Sequence, residues 1–426
     1  MNRTTRRRGV GRLVRAAAAA LMIISTLGAG TGIAAAHIGA ASPGAPRFAA
    51  RQNAVQGTVI PAPTATSCPT PVPTATPAAG SATATPTAPC SPDIQLLVSS
   101  HDDKSVLRYD GISGMLLDRF VPSGTGGLNG AHALGLDYAG NLYVTDDANN
   151  SLLRYCAPPA GQFPNQGPGG SGAPCNPGAP LPSAGHTGAT FVISGSGGLS
   201  HPTGLAFGPG GDLYITSAGT NSVLRFNAND GSPLPVAGQS GADYVPTGSG
   251  GLSNPSALTF GPEGNLYVAS ASTNSILKYN GTTGAFESTF VISGSGGLSD
   301  PSGLTFGSDF NLYVTSKGAN SVLRFCGPTN TACAPGAALP ATGQTGAAFV
   351  PAGSGGLSSP SALTIGSYNN LYVASAGTNS ILSYDANTGA FITTTVHAGA
   401  DGPVNPQGFF YKLRILSRCQ GHFCSF

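Results

Sequence analysis

Short apolar runs alternate with polar, glycine-rich breaks along most of this chain. The clearest unit spans residues 248–290 and reads GSGGLSNPSALTFGPEGNLYVASASTNSILKYNGTTGAFESTF. Its runs at Ser256–Phe260, Asn265–Ala269, Ser275–Tyr279 and Phe286–Val291 are rich in Leu, Ile, Val, Tyr, Phe and Thr. The breaks GPEG, SAST, NGTTG and SGSGG supply turn residues. Four short strands with tight connections predict an antiparallel meander, and no window carries the 3.6-residue period of a helix. A lone meander cannot bury both faces, so neighbouring copies must cover it in a radial or stacked array.

The second-strand signature Asn/Asp-Leu-Tyr-Val/Ile recurs with its tyrosine at Tyr143, Tyr214, Tyr267, Tyr313 and Tyr372. A degenerate copy, Gln95-Leu96-Leu97-Val98, precedes them and makes six second strands. The first copy follows a spacer and lacks its own inner strand. At the other end, residues 405–411 (NPQGFFY) match the inner strand of Asn254–Phe260 with no blade after them. The two defects complete each other. A C-terminal strand added to the N-terminal blade would close a ring and remove exposed edges. The expectation is an all-β, six-bladed β-propeller of four-stranded antiparallel blades over residues 94–411.

The run GLxFGPxGNLYVxSxxTNSVLRF resembles the NHL-type repeat and its six-bladed relatives, including the senescence-marker/gluconolactonase and streptogramin-lyase-like proteins. The motif is structural, so the resemblance implies a fold and leaves activity open. The lactonase relatives hold a divalent metal with a Glu, an Asn and an Asp from different blades. Here the only glutamates are Glu263, in a hairpin turn, and Glu287, on an outer strand. Neither fits that role. The lyase relatives use a His-centred site on a seven-bladed ring, which six blades and a lone His132 do not match.

The chain opens with MNRTTRRRGVGRLVR and an apolar run from Ala16 to Ala36 that ends in small residues. Residues 1–36 therefore read as a secretory signal peptide, or as a membrane anchor if uncleaved. Residues 37–92 are dominated by Pro, Thr, Ala and Ser and read as a disordered, extended spacer. Both readings place the remainder outside the cytoplasm, secreted or at the cell-envelope surface. Eight of the 19 basic residues lie at or before Arg51, leaving 11 against 17 acidic ones, or about −6 beyond it. No basic stripe supports nucleic-acid binding. Residues 412–426 form a tail without an assigned role.

Spacings between the signature tyrosines are 71, 53, 46 and 59 residues. The excess in each long repeat falls between the third- and fourth-strand aromatics, so every insertion sits in the three–four hairpin. Two insertions carry cysteines at one aligned position, Cys156 and Cys326, with Cys175 and Cys333 downstream. In an exported chain, local disulfides Cys156–Cys175 and Cys326–Cys333 are expected, with Cys68–Cys90 and Cys419–Cys424 as further pairs.

One–two and three–four hairpins share one face of such a ring. The two–three turns and GSGGL connections share the other. On that second face most turns read Ala-Gly-Thr, whereas blade one has His101, Asp102 and Asp103, and blade two has His132, Asp146 and Asp147. These six residues are candidate ligand-binding groups at one seam. Asp146 and Asp147 are the candidate metal ligands, since clustered carboxylates suit a hard cation such as Ca²⁺. The competing reading is that acids at turns cap their own backbone. The expected function is an exported binding or scaffold propeller for a protein, glycan or small ligand. The alternative is a Ca²⁺-assisted lactonase- or lyase-like enzyme on the channel face.

Overall fold

The computed structural model describes residues 93–137, 139–156, 176–366 and 369–414. The predicted signal segment, spacer and residues 415–426 lie outside them, as do Cys68, Cys90, Cys175, Cys419 and Cys424. Six four-stranded antiparallel sheets form, each ordered from an inner to an outer strand. The inner strands Ala131–Leu136, Pro202–Phe207, Pro255–Phe260, Pro301–Phe306, Pro360–Ile365 and Pro406–Arg414 touch one another in ring order. Pro406–Arg414 pairs with Asp93–Ser100, registering Leu96 with Tyr411 and Leu97 with Phe410. The C-terminal strand thus completes blade one and closes a six-bladed β-propeller.

Second strands are buried along their whole length because a neighbouring blade covers each face. Leu142–Asp146 and Leu266–Ser270 are buried at every residue. Their signature tyrosines hold the blades together. Tyr143 meets Phe191 of its own outer strand and Phe207 of the next blade's inner strand, edge to face, with centroids 5.1 and 5.4 Å apart. Tyr214 and Tyr267 repeat the arrangement. Tyr372 reaches Tyr411 across the closing seam at 5.3 Å. Each such contact adds about 0.5–1.5 kcal/mol beyond area burial. The core accordingly divides into six apolar clusters, one between each pair of blades.

Outer strands come in two lengths. Leu116–Val121, Phe286–Val291 and Phe391–Val396 have six residues, whereas Thr190–Val192, Asp243–Val245 and Ala348–Val350 have three. The short ones belong to the blades with insertions. The described parts of those insertions lie between the third and fourth strands, as expected. They return along the outer edge, where Pro180, Pro233 and Ala338 bridge Tyr155, Phe226 and Phe325. The recurrent third-strand arginines clamp them there. Arg154 donates to the Leu181 and Pro182 carbonyls, Arg225 to Leu234 and Pro235, and Arg324 to Leu339 and Pro340. In two uninserted blades the same position pairs with acids instead, Arg108 with Asp118 and Lys278 with Glu263 and Glu287, and in the third Ser383 donates to the Thr393 carbonyl. The expected Cys326–Cys333 disulfide is present. Cys156 is disulfide-bonded too, and its expected partner, Cys175, lies outside the described residues.

Candidate functional site

The turn that follows each second strand builds the channel-side face. In five blades the last strand residue is Ser100, Ser217, Ser270, Ser316 or Ser375. Its hydroxyl accepts the N–H of Val404, Ser200, Ser253, Ser299 or Ser358 at 2.8–3.0 Å. Asp146 occupies that position in blade two and does the same work. Its Oδ2 accepts the N–H of Asn129 at 2.9 Å, and its Oδ1 accepts the N–H of Asn149 at 3.1 Å. Burial pushes the Asp146 carboxyl above the usual range, and these donors draw it back. Asp103 is likewise local, accepting the Ser100 hydroxyl at 3.0 Å. Both residues cap their own turns.

A second device links blades to one another. The turn ends in a left-handed asparagine, which tolerates that conformation and carries a short amide. The side-chain oxygens of Asn150, Asn221, Asn274, Asn320 and Asn379 accept N–H groups of His201, Asn254, Asp300, Ser359 and Asn405 in the next blade, at 2.6–2.8 Å. At the seam between blades one and two, Lys104 replaces the asparagine. There His101 and Asp147 bind each other instead. His101 Nε2 lies 3.2 Å from Asp147 Oδ1, and its Nδ1 lies 2.8 Å from Asp102 Oδ1. Asp102 also accepts the Asn405 amide at 3.1 Å. Gly130 makes the room, since a Cβ there would sit 2.1 Å from Asp147 Oδ1.

The Asp147 hydrogen bond, helped by Asp102 and opposed by burial, raises His101 from 6.5 to about 9, so it is an imidazolium at neutral pH. Burial alone would raise Asp147, but the His101 bond and nearby imidazoles turn the net shift downwards. Asp102 is lowered by His101 and then by Asn405. His132 behaves oppositely. Its ring stands 6.4 Å from His101, edge to face, and burial pushes it down to about 4. Its Nδ1 is sealed from solvent without a hydrogen-bond partner. His201 approaches Asp147 at 4.0 Å and joins the cluster, although its exposed position on an otherwise ordinary turn gave no distinguishing pattern.

Of the six candidates, the structure therefore brings together His101, Asp102, His132 and Asp147, and leaves Asp103 and Asp146 in local caps. The pair singled out for Ca²⁺ is divided between two roles, since both Asp146 oxygens accept backbone N–H groups while Asp147 meets His101. Among the described residues no three His, Cys, Asp or Glu side chains converge as a metal-ligand set. Beside the seam runs the central channel, a cavity of about 120 Å³ lined by His132, Thr203, Ser256, Ser302, Ser361 and Gln407, one from each blade.

The ring defines the chain as a six-bladed β-propeller with a central channel of mixed polar and apolar lining. No protein-family model and no curated protein matches it. Among solved structures it is similar to a chain in the crystal structure of a nidogen/laminin complex. The identity there is 18% and the TM-score 0.51, over 75% of this chain and 99% of that one. It is also similar to a catalytically inactive virginiamycin B lyase from Staphylococcus aureus with quinupristin, at 17% identity and TM-score 0.45, over 75% and 88% of the two chains. At such identities the likeness is one of fold alone.

Proposed function

We propose that this chain is an exported propeller, displayed on its Pro/Thr-rich spacer, that binds a protein partner through its loop faces and performs no chemistry. The observation that carries this reading is the state of the seam. Its charged groups satisfy one another across two blades and act as an interblade latch, which supports rigidity over reactivity. The channel adds to this, because its 120 Å³ is well below the roughly 300–1,000 Å³ of typical small-molecule sites. A rigid ring bearing many short loops suits a broad contact. The similar chain from the nidogen/laminin complex lends fold-level support to protein binding. The basic, apolar leader and the polar spacer support export.

Two measurements on the full chain test the proposal. Fractionation of the producing cell should find the chain at the envelope or in the medium, where added protease releases a ring-sized fragment by cutting within residues 37–92. Hydrolysis of lactones or cleavage of cyclic depsipeptides, with or without Ca²⁺, should stay at the level of buffer. Retention in the cytoplasm, or Ca²⁺-dependent turnover, would overturn it.

A further inference from the structure

The channel has a polarity that its residue types alone do not reveal. Thr203, Ser256, Ser302 and Ser361 each spend their hydroxyl proton on the next blade. They donate to the carbonyls of Pro255, Pro301, Pro360 and Pro406 at 2.5–2.7 Å. The oxygens of Ser256 and Ser361 are left to accept, whereas those of Thr203 and Ser302 already meet the Thr216 and Thr315 hydroxyls at 2.8 and 2.9 Å. Gln407 spends one of its two amide protons on Asn405 at 2.5 Å, and its carbonyl oxygen is left to accept. His132 completes the ring. Its Nδ1 has no hydrogen-bond partner, and a neutral imidazole carries an accepting lone pair on one of its two nitrogens. Inner-strand N–H groups point elsewhere, Ala133 to Thr145, Gly204 to Thr216 and Gly408 to Ser99. Uncommitted oxygens thus line the channel at Ser256, Ser361 and Gln407, beside the partnerless His132 Nδ1.

A buried acceptor without a donor is costly, so such a ring favours a guest with several N–H groups and no need to accept. A primary ammonium has three donors and no acceptor. The mouth favours its sign: Asp102 and Asp147 outnumber the single His101 cation by one charge. We propose that the channel is a receptor for one primary ammonium group, carried into it by the side chain of a lysine or by the amino terminus of the bound protein. This rests on the protein-binding reading and names the group that would anchor the partner.

The test uses the full chain with methylammonium chloride as probe, against tetramethylammonium chloride at equal ionic strength. The second cation has the charge without the N–H donors. At about ten times its Kd, methylammonium should raise the Tm by about 2 °C and move the His132 ring resonances, while tetramethylammonium does neither. Nα-acetyl-lysine methylamide and glycinamide then separate the two sources: the first binds more tightly if lysine is the natural guest, the second if an amino terminus is. His132→Phe keeps the ring volume and removes the acceptor. It should remain folded and weaken methylammonium at least about fivefold. An absent response in the wild-type protein, or equal responses to both cations, overturns the channel proposal and leaves export and inactivity untouched. Should His132→Phe fail to fold, the wild-type His132 resonances still decide.

Discussion

His101 and Asp147 occupy the same position of two consecutive repeats and meet across the seam between their blades, Nε2 to Oδ1 at 3.2 Å. Alanine fills that position in three other blades, as Ala218, Ala271 and Ala376, and Lys317 fills it in the fourth. The pair stands where the asparagine latch is missing, because Lys104 ends the blade-one turn. One charged contact between side chains has replaced one amide contact to backbone. A contact of this kind responds to pH, which the asparagine latches do not.

The sign of that response follows from His101. Its pKa rises from 6.5 to about 9 on folding, so its contribution is complete below about 6.5 and disappears as pH climbs through about 9. His101→Ala should therefore lower the unfolding free energy by about 1–2 kcal/mol at pH 6 and by close to zero at about pH 10.5. Urea unfolding of both proteins at both pH values measures the difference. An equal deficit at the two pH values would falsify the latch.

Gly130 offers an independent handle on the same contact. A methyl group there would meet Asp147 Oδ1 at 2.1 Å and the Ala148 nitrogen at 2.9 Å. The carboxylate can swing away, but the backbone nitrogen cannot. Gly130→Ala should cost about 1–3 kcal/mol. It should also return the His101 titration towards 6.5, followed by NMR. A variant that loses stability while His101 still titrates near 9 would separate Gly130 from the latch.

The architecture was legible because it rests on period-two runs and on a fixed repeat. The third and fourth strands of the reference unit, Ser275–Tyr279 and Phe286–Val291, form where they were expected, and the first and second shift by a residue. Closure was legible because an unmatched strand at one end answered a missing strand at the other. The candidate site was legible only as departures from the repeat, and such departures mix two kinds of residue. Asp146 replaces a serine that already capped a turn, so a change of residue type brought no change of role. His101 and Asp147 replace alanines, and only their separation in space shows that the two substitutions answer each other. The acceptor character of the channel was hidden because it depends on where each hydroxyl proton goes.

The clamps on the insertions should differ in strength. Arg154 is 3% exposed, donates to two carbonyls and lies 4.4 Å from the Phe191 ring centroid. Arg225 makes the same contacts more openly, with its outer bond at 3.4 Å and its ring centroid at 5.5 Å. Arg154→Ala strands two carbonyls and should cost about 2–4 kcal/mol, while Arg225→Ala should cost less than half of that. Thermal unfolding of the two variants ranks them. The reverse order would mean that the insertions are held by something other than their arginines.

The closing strand carries the largest expected effect. Ending the chain at Asn405 removes Pro406–Arg414 and with it the pairing to Asp93–Ser100. It also removes the Tyr372–Tyr411 contact and the Ser361 hydroxyl's acceptor on Pro406. Leu96, Leu97 and Val98, now fully buried, would line an open sheet edge, which invites pairing between molecules. Each blade depends on its neighbours for both faces, so an opened ring cannot simply lose one blade and keep the rest. The truncated chain should lose its single cooperative unfolding transition and elute as aggregate in size-exclusion chromatography. A chain ending at Arg414 retains every one of these contacts and should unfold within about 1–2 °C of the full protein. If the shorter chain instead stays monomeric with an unchanged Tm, the C-terminal strand is an ornament on blade one and not the closure of the ring.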